Sequence, residues 1–247
     1  MGARMNCRLL GLAVTLVVTA CRSEAPRTQA TQVAKADDPR ATAPGGTSAG
    51  SGTFQGREIA PTMSYLGAAW LDRPERADRE QPDRVLDALA LPRDSVVADV
   101  GAGTGYFTLR LAARVAQVHA TDLQPEMLQM LGARVKAAGL TNVVLHAATA
   151  RDSGLPAACC DLVLLVDVYH ELADPTAVMG SIRRALRSRG RLVLVEYRGE
   201  DPAVAIKPEH KVTLDQLKLE LSRLDFALVE SLEFLPDQRV VIFTATD

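Results

Sequence analysis

From Arg57 to the end of this 247-residue chain, short β-branched and aliphatic runs alternate with amphipathic stretches. Val96-Val97-Ala98-Asp99-Val100, Val118 to Thr121, Val143-Val144-Leu145, Leu162 to Val166 and Arg191 to Tyr197 read as strands. Between them, helices are predicted over Phe107 to Val115, from Pro125 to a stop at Gly139, and over Ala177 to Leu186. In the second helix Met127, Leu128, Leu131 and Val135 share one face. Strands alternating with helices build a mostly parallel sheet covered on both faces. The nearly all-apolar fourth strand suits burial on both sides. The tail changes pattern. Thr213-Leu214-Asp215-Gln216 predicts a capping box opening the last helix. Two strands follow, Phe226 to Phe234 and Arg239 to Thr244, with a turn at Pro236-Asp237. So short a connection forces an antiparallel pair. The expected fold is α/β: a doubly wound seven-stranded sheet, mostly parallel, with an antiparallel C-terminal hairpin.

The chain before Arg57 is different material. Arg4 and Arg8 precede an apolar run from Leu9 to Ala20, long enough for an export signal and too short to span a bilayer. The run ends Val18-Thr19-Ala20-Cys21, which resembles the lipobox of bacterial lipoproteins. That resemblance implies a lipid on Cys21 as the mature N-terminus. The stretch after it is rich in Ala, Thr, Ser, Gly and Pro, without hydrophobic periodicity, and reads as a tether. The division expected is a signal peptide at 1–20, a lipidated cysteine and linker at 21–56, and a folded domain at 57–247. The location that follows is the cell envelope, with the membrane met only through the lipid. The alternative is a cytoplasmic protein whose translation starts downstream, for example at Met63.

Composition narrows the partners. With 28 Lys and Arg against 30 Asp and Glu, the chain has no basic excess to bind a phosphate backbone, and 4% aromatics give no base-stacking platform. Nucleic acid is therefore not expected as a partner. Four cysteines cannot staple a chain of this length. Cys159 and Cys160 are adjacent, with α-carbons too close for a comfortable disulfide, and are expected to be small apolar residues. No CxxC, HxH or HExxH spacing is present, so no metal ligands are expected.

The strongest local signal is Asp99-Val100-Gly101-Ala102-Gly103-Thr104-Gly105-Tyr106, a glycine turn at the end of a strand. Glycines let the backbone turn tightly and approach a ligand closely. Tyr106 stands where a dinucleotide-binding GxGxxG loop would carry its third glycine. Asp122 ends the second strand, one helix and one strand on from Gly101, where an acid can accept both hydroxyls of a ribose. On these residues the chain resembles the class I S-adenosylmethionine-dependent methyltransferases over roughly 60–247. The resemblance implies a Rossmann-like sheet with a reversed last strand and S-adenosylmethionine as cofactor. It places Asp99, Gly101, Gly103, Thr104 and Gly105 around the amino-acid part of the cofactor, Asp122 on the ribose, and Leu123 and Met127 beside the adenine. Many members carry an acid after the third strand to hold the adenine amine. Here that region reads Ala147-Ala148-Thr149-Ala150, so Thr149 or a backbone carbonyl takes that place.

After the fourth strand comes Asp167-Val168-Tyr169-His170-Glu171-Leu172. An apolar strand that ends in polar side chains delivers them to the cleft. In the resembled family this segment faces the reacting methyl. Asp167 is assigned to the cofactor, and Tyr169, His170 and Glu171 are the catalytic candidates, with His170 as the proton acceptor. The fifth strand ends Glu196-Tyr197, which places both at the cleft rim and adds Tyr197 to the catalytic candidates. Lys207-Pro208-Glu209-His210-Lys211 is read as a solvated loop, with a lid over the substrate as the alternative, and the segment holding Trp70 as a cover for the cofactor mouth or the core. The function expected is methyl transfer to a small-molecule acceptor. The alternatives are an NAD(P)-dependent oxidoreductase, and a non-catalytic module that keeps the fold.

Overall fold

The computed structural model describes residues 52–246. The expected export signal, Cys21 and nearly all of the expected tether lie outside the described residues. Folded chain begins before Arg57: β1 (Thr53–Phe54) pairs with β2 (Arg57–Glu58) in a small hairpin that starts inside the stretch assigned to the tether. A strap of short elements follows, comprising a 3-10 turn at Tyr65–Gly67, α1 (Ala68–Leu71), α2 (Arg76–Glu80) and α3 (Pro82–Ala88).

The main body alternates as the apolar pattern requires: β3 (Val96–Val100), α4 (Thr108–Ala112), β4 (Gln117–Asp122), α5 (Pro125–Ala137), β5 (Val143–Ala147), β6 (Cys160–Val166), α6 (Pro175–Ala185) and β7 (Leu186–Arg198). Then come β8 (Lys211–Val212), α7 (Leu214–Ser222), β9 (Phe226–Leu232) and β10 (Gln238–Ala245). The main path of the sheet runs β5-β4-β3-β6-β7-β10-β9. Its seven strands are those expected, parallel except that β10 is antiparallel to both β7 and β9. An eighth strand, the short β8, adds to the end of β7.

Side-chain alternation sorts the strands into two apolar layers. Val97, Leu162, Leu164, Val193, Val195 and Ile242 pack with α3 and Leu111 on one face. Ala98, Val163, Leu165, Leu192, Leu194 and Phe243 pack with Val178, Met179 and Ile182 of α6 and Leu217 and Leu221 of α7 on the other. Leu162 to Leu165 are fully buried, as a strand covered on both sides must be. Each such leucine contributes about 1.5–3 kcal/mol relative to an exposed one.

Three local expectations change. Helix α6 passes into β7 with no loop, so β7 starts at Leu186 and not at Arg191. The capping box forms by half: Thr213 Oγ1 accepts from Gln216 N–H at 3.1 Å, but the Gln216 amide donates to Gln55 O and Glu220 Oε1 instead of returning to the cap. Cys159 and Cys160 are joined in a disulfide between sequence neighbours, not kept as separate apolar thiols.

Candidate active site

Strand β3 delivers the chain into a turn that favours glycine at three positions. Gly101, Gly103 and Gly105 have φ of +71°, +54° and +91°. A Cβ on Gly101 would lie 2.4 Å from Val168 Cγ2, and one on Gly105 would lie 2.2 Å from Leu131 Cδ1. Conformation and room both exclude a side chain there. The turn is tied to the next strand, because Gly101 N–H and Ala102 N–H both donate to Thr121 O at 2.9 Å.

Asp122 braces this loop. Its Oδ2 accepts from Gly103 N–H at 2.9 Å and its Oδ1 from Gln124 N–H at 2.8 Å. A carboxylate has about four acceptor sites, so both oxygens retain capacity for a ribose hydroxyl. Burial pushes its pKa up, and the Gln124 and Gly103 N–H groups offset part of that rise. Asp99, one layer deeper, accepts from Thr108 Oγ1 at 2.6 Å. Burial lifts its pKa to about 6, against the opposing pull of the Thr108 hydroxyl and Arg76. Within the loop the Thr104 hydroxyl is buried with no hydrogen-bond partner. A bare-backbone cradle, an orphaned hydroxyl and a braced carboxylate fit the polar adenosyl cofactor that the resemblance implies.

The adenine side is mixed. Leu123 is 46% exposed directly after Asp122, whereas Met127 is 2% exposed and belongs to the core. Thr149 is exposed, and its hydroxyl accepts from Arg151 N–H at 3.2 Å inside a tight turn. Asp167 has φ +55°, and Gln238 Nε2 donates to both its carboxylate oxygens at 2.9 Å. The 63–72 strap lies across this edge. Met63 O accepts from Gln124 Nε2, Tyr65 N–H donates to Gln124 Oε1, and Arg134 Nη1 grips both Asp72 oxygens at 2.8 and 2.9 Å. Leu71 Cδ1 sits 2.8 Å from where a Gly103 Cβ would be. Trp70 is half-buried under the Arg73 guanidinium, 3.5 Å from its ring centroid.

At the ends of β6 and β7 the expected catalytic groups are sealed inside. Tyr169 and His170 are fully buried and Tyr197 is 7% exposed. Glu196 does not reach the rim. It is fully buried, accepting from Tyr169 N–H at 2.9 Å and pairing with His170 Nδ1 at 2.7 Å. The Tyr169 hydroxyl donates to Glu220 Oε2 at 2.7 Å, and Glu220 is gripped by Arg57 Nε and Nη2 at 2.9 and 3.0 Å. Burial presses the His170 pKa down, but the Glu196 and Glu171 carboxylates outweigh it and hold it at about 9. Burial and Glu220 push the Tyr169 pKa well up. A sealed imidazolium and a sealed neutral phenol do not take a proton from an acceptor. Glu171 is the exception in this group, its side chain 12% exposed and its Oε2 accepting from Met63 N–H at 3.2 Å.

His210 is also not the solvated residue expected. It is 3% exposed, and its Nδ1 faces His170 Nε2 at 3.1 Å. Lys211 Nζ next to it donates to Asp201 O and Val204 O, which pins the segment down. Sequence reasoning missed Arg57, Glu220 and Gln238. For Glu220 a signal existed: it shares a helix face with Leu217 and Leu221, and a carboxylate inside an apolar stripe must have a buried partner. Arg57 and the buried Ile59 and Ala60 are integral to the domain, so a chain starting at Met63 would strip Glu220 of its cation.

This fold, a Rossmann-like sheet with a reversed terminal strand and the glycine turn at its carboxyl edge, is that of solved S-adenosylmethionine-dependent methyltransferases. A crystal structure of such an enzyme from Aquifex aeolicus superposes with a TM-score of 0.70 at 23% identity, covering 74% of this chain and 98% of that one. Residues 98–194 match the family model described as a methyltransferase domain. An uncharacterized methyltransferase of Mycobacterium bovis is 36% identical over 121 residues, 49% of this chain and 47% of its own length. An uncharacterized methyltransferase-like protein of Schizosaccharomyces pombe is 32% identical over 131 residues, covering 53% and 49%. The chain thus spans about half the length of the curated relatives it matches.

Proposed function

We propose that this protein transfers a methyl group from S-adenosylmethionine to a small-molecule acceptor. The observation that carries this is the coupling of the glycine turn to Asp122: the Gly103 N–H bond at 2.9 Å fixes the carboxylate beside a loop of three positive-φ glycines. When bound, the cofactor supplies a methyl already activated on a sulfonium. The chain's own task is then mainly to position reactants, about 3–3.5 Å apart and in line. Asp122 would hold the ribose, the unpartnered Thr104 hydroxyl the amino-acid end, and exposed Leu123 a face of the adenine. The half-buried Asp167–Gln238 pair and the buried Glu196–His170 pair would keep the acceptor side rigid. Titration calorimetry on the purified chain tests the reading. One equivalent of S-adenosylmethionine should bind and NADH should not; tight nicotinamide binding with no response to S-adenosylmethionine would overturn it.

We further infer that a lipid on Cys21 anchors the protein at the cell envelope, on the strength of the apolar run and small residues before that cysteine. Mass spectrometry of the membrane fraction should find a diacylglyceryl-modified Cys21 at the N-terminus. An N-terminal peptide upstream of Cys21 in the mature protein would contradict this.

A further inference from the structure

His170, Glu171 and His210 each offer one ligand atom, and the three atoms lie within 4.8 Å of one another. His170 Nε2 is 3.1 Å from His210 Nδ1 and 3.7 Å from Glu171 Oε1. Ligand atoms about 2.0–2.2 Å from one tetrahedral zinc ion lie about 3.3–3.6 Å apart, a span that these two separations bracket. A second observation is independent of that spacing. His170 Nδ1 is bonded to Glu196 Oε2 at 2.7 Å, both side chains fully buried, and Glu196 is itself fixed by the Tyr169 N–H. A carboxylate behind an imidazole fixes the ring's orientation and raises the basicity of its far nitrogen, and metal-binding histidines are held this way. Here the far nitrogen is the one turned to His210 and Glu171.

We propose that the protein binds one divalent transition-metal ion, zinc foremost, through His170 Nε2, His210 Nδ1 and Glu171 Oε1, leaving a fourth position open. Two imidazoles and one carboxylate suit zinc and its first-row neighbours, whereas magnesium and calcium take oxygen ligands. The ion replaces the hydrogen bond between the two rings and displaces the proton that His170 Nε2 carries, which passes to solvent. The cluster stands at the carboxyl ends of β6 and β7, the same sheet edge as the glycine turn. There an acceptor could reach the ion only from the side of Glu171, the one ligand with exposed surface, where a hydroxyl or thiol would bind as its anion with the proton passing to solvent. That use rests on the methyl transfer proposed above; the binding of the ion does not. Spacing rules could not show the site, because Glu171 and His210 lie far apart in sequence, with all of α6 and β7 between them.

The test is titration of chelator-stripped, full-length protein with cobalt(II), followed by zinc. One equivalent of cobalt should bind with the visible absorption of a nitrogen–oxygen site of low coordination number. Zinc should displace it and raise the Tm by mass action. Glu171→Gln and His210→Ala should each weaken binding by more than the roughly 10–100-fold that loss of a group supporting a ligand costs, and Glu196→Gln should fall inside that range. Glu171 is partly exposed, so its variant carries the test if His210→Ala does not fold. His119→Ala is the control, since His119 and His146 form the other imidazole pair, at 2.8 Å, and it should leave the stoichiometry at one. Absence of binding, binding that survives Glu171→Gln, or binding lost in His119→Ala would overturn the proposal. Metal uptake without any response to S-adenosylmethionine would uphold this site and sink the proposed function instead; the reverse pattern would do the opposite.

Discussion

At the ends of β3 and β4, the working groups come from one stretch of chain, residues 99–122, and are tied mainly by backbone N–H donors. At the ends of β6 and β7, they come from Arg57, Tyr169, His170, Glu196, His210 and Glu220, and are tied by side chains alone or nearly so. The first region is a cradle whose shape follows from glycine and from strand order. The second is a buried polar network, where each ionised group depends on a partner brought from far along the chain. The difference has an energetic consequence. A change at the face of the cradle, as at Asp122, should be felt chiefly by the ligand, and a change in the network, or at Asp99 buried beneath the loop, chiefly by the fold.

The largest effect should come from the network. Glu220→Ala removes the carboxylate that holds both Arg57 and the Tyr169 hydroxyl, leaving a buried cation uncompensated. Urea denaturation should show a loss of about 3–5 kcal/mol. A loss below about 1 kcal/mol would mean that water reaches Arg57 and that the network is not sealed.

The next effect is a pH dependence inside the cradle. Asp99 titrates at about 6 in the fold against 3.8 when unperturbed. The folded state therefore holds this proton more tightly than the unfolded chain. The stability it confers is complete below the unfolded value and is lost as pH rises through about 6. Asp99→Asn carries no such loss. Its stability relative to the parent should rise by on the order of 3 kcal/mol between about pH 4 and about pH 7, as read from denaturation midpoints at each pH. A gap that stays constant with pH would show that Asp99 is solvated.

A smaller effect separates ligand from fold most cleanly. Asp122→Ala should weaken S-adenosylmethionine by about 10- to 150-fold through the lost charge-assisted contact, measured by calorimetry. Equal affinity in the variant would remove the ribose from Asp122. The smallest effect lies outside both regions. Thr213→Ala deletes the one capping bond that forms, and should cost about 1 kcal/mol in thermal or urea unfolding.

The same contrast explains what the sequence disclosed. The succession of strands and helices was legible because period-2 apolar runs and helical stripes are local, and so is the short turn at Pro236 that forces the reversed strand. The cradle was legible for the same reason: Gly101 to Gly105 and Asp122 need only one strand–turn–helix–strand unit to meet. Tyr169, His170 and Glu196 were found as polar residues after apolar strands, but their burial was not legible. It depends on Arg57 from a hairpin that begins in the stretch read as tether, on Glu220 from the last helix, and on His210 from a segment read as solvated. The pairing of His170 with His210 is a tertiary fact with no spacing to announce it. Met127 shows the limit from the other side, since a helical stripe marks a face without saying whether core or ligand covers it.

The central claim is that the glycine turn and Asp122 jointly grip an adenosyl group. A crystal structure of the protein grown with S-adenosylmethionine tests it most directly. Density is expected against the bare backbone of Gly101 to Gly105, with ribose oxygens in hydrogen-bond reach of both Asp122 oxygens and the Thr104 hydroxyl partnered. Well-ordered crystals in which Leu71, Val168 and the strap fill that crevice at saturating ligand would contradict it.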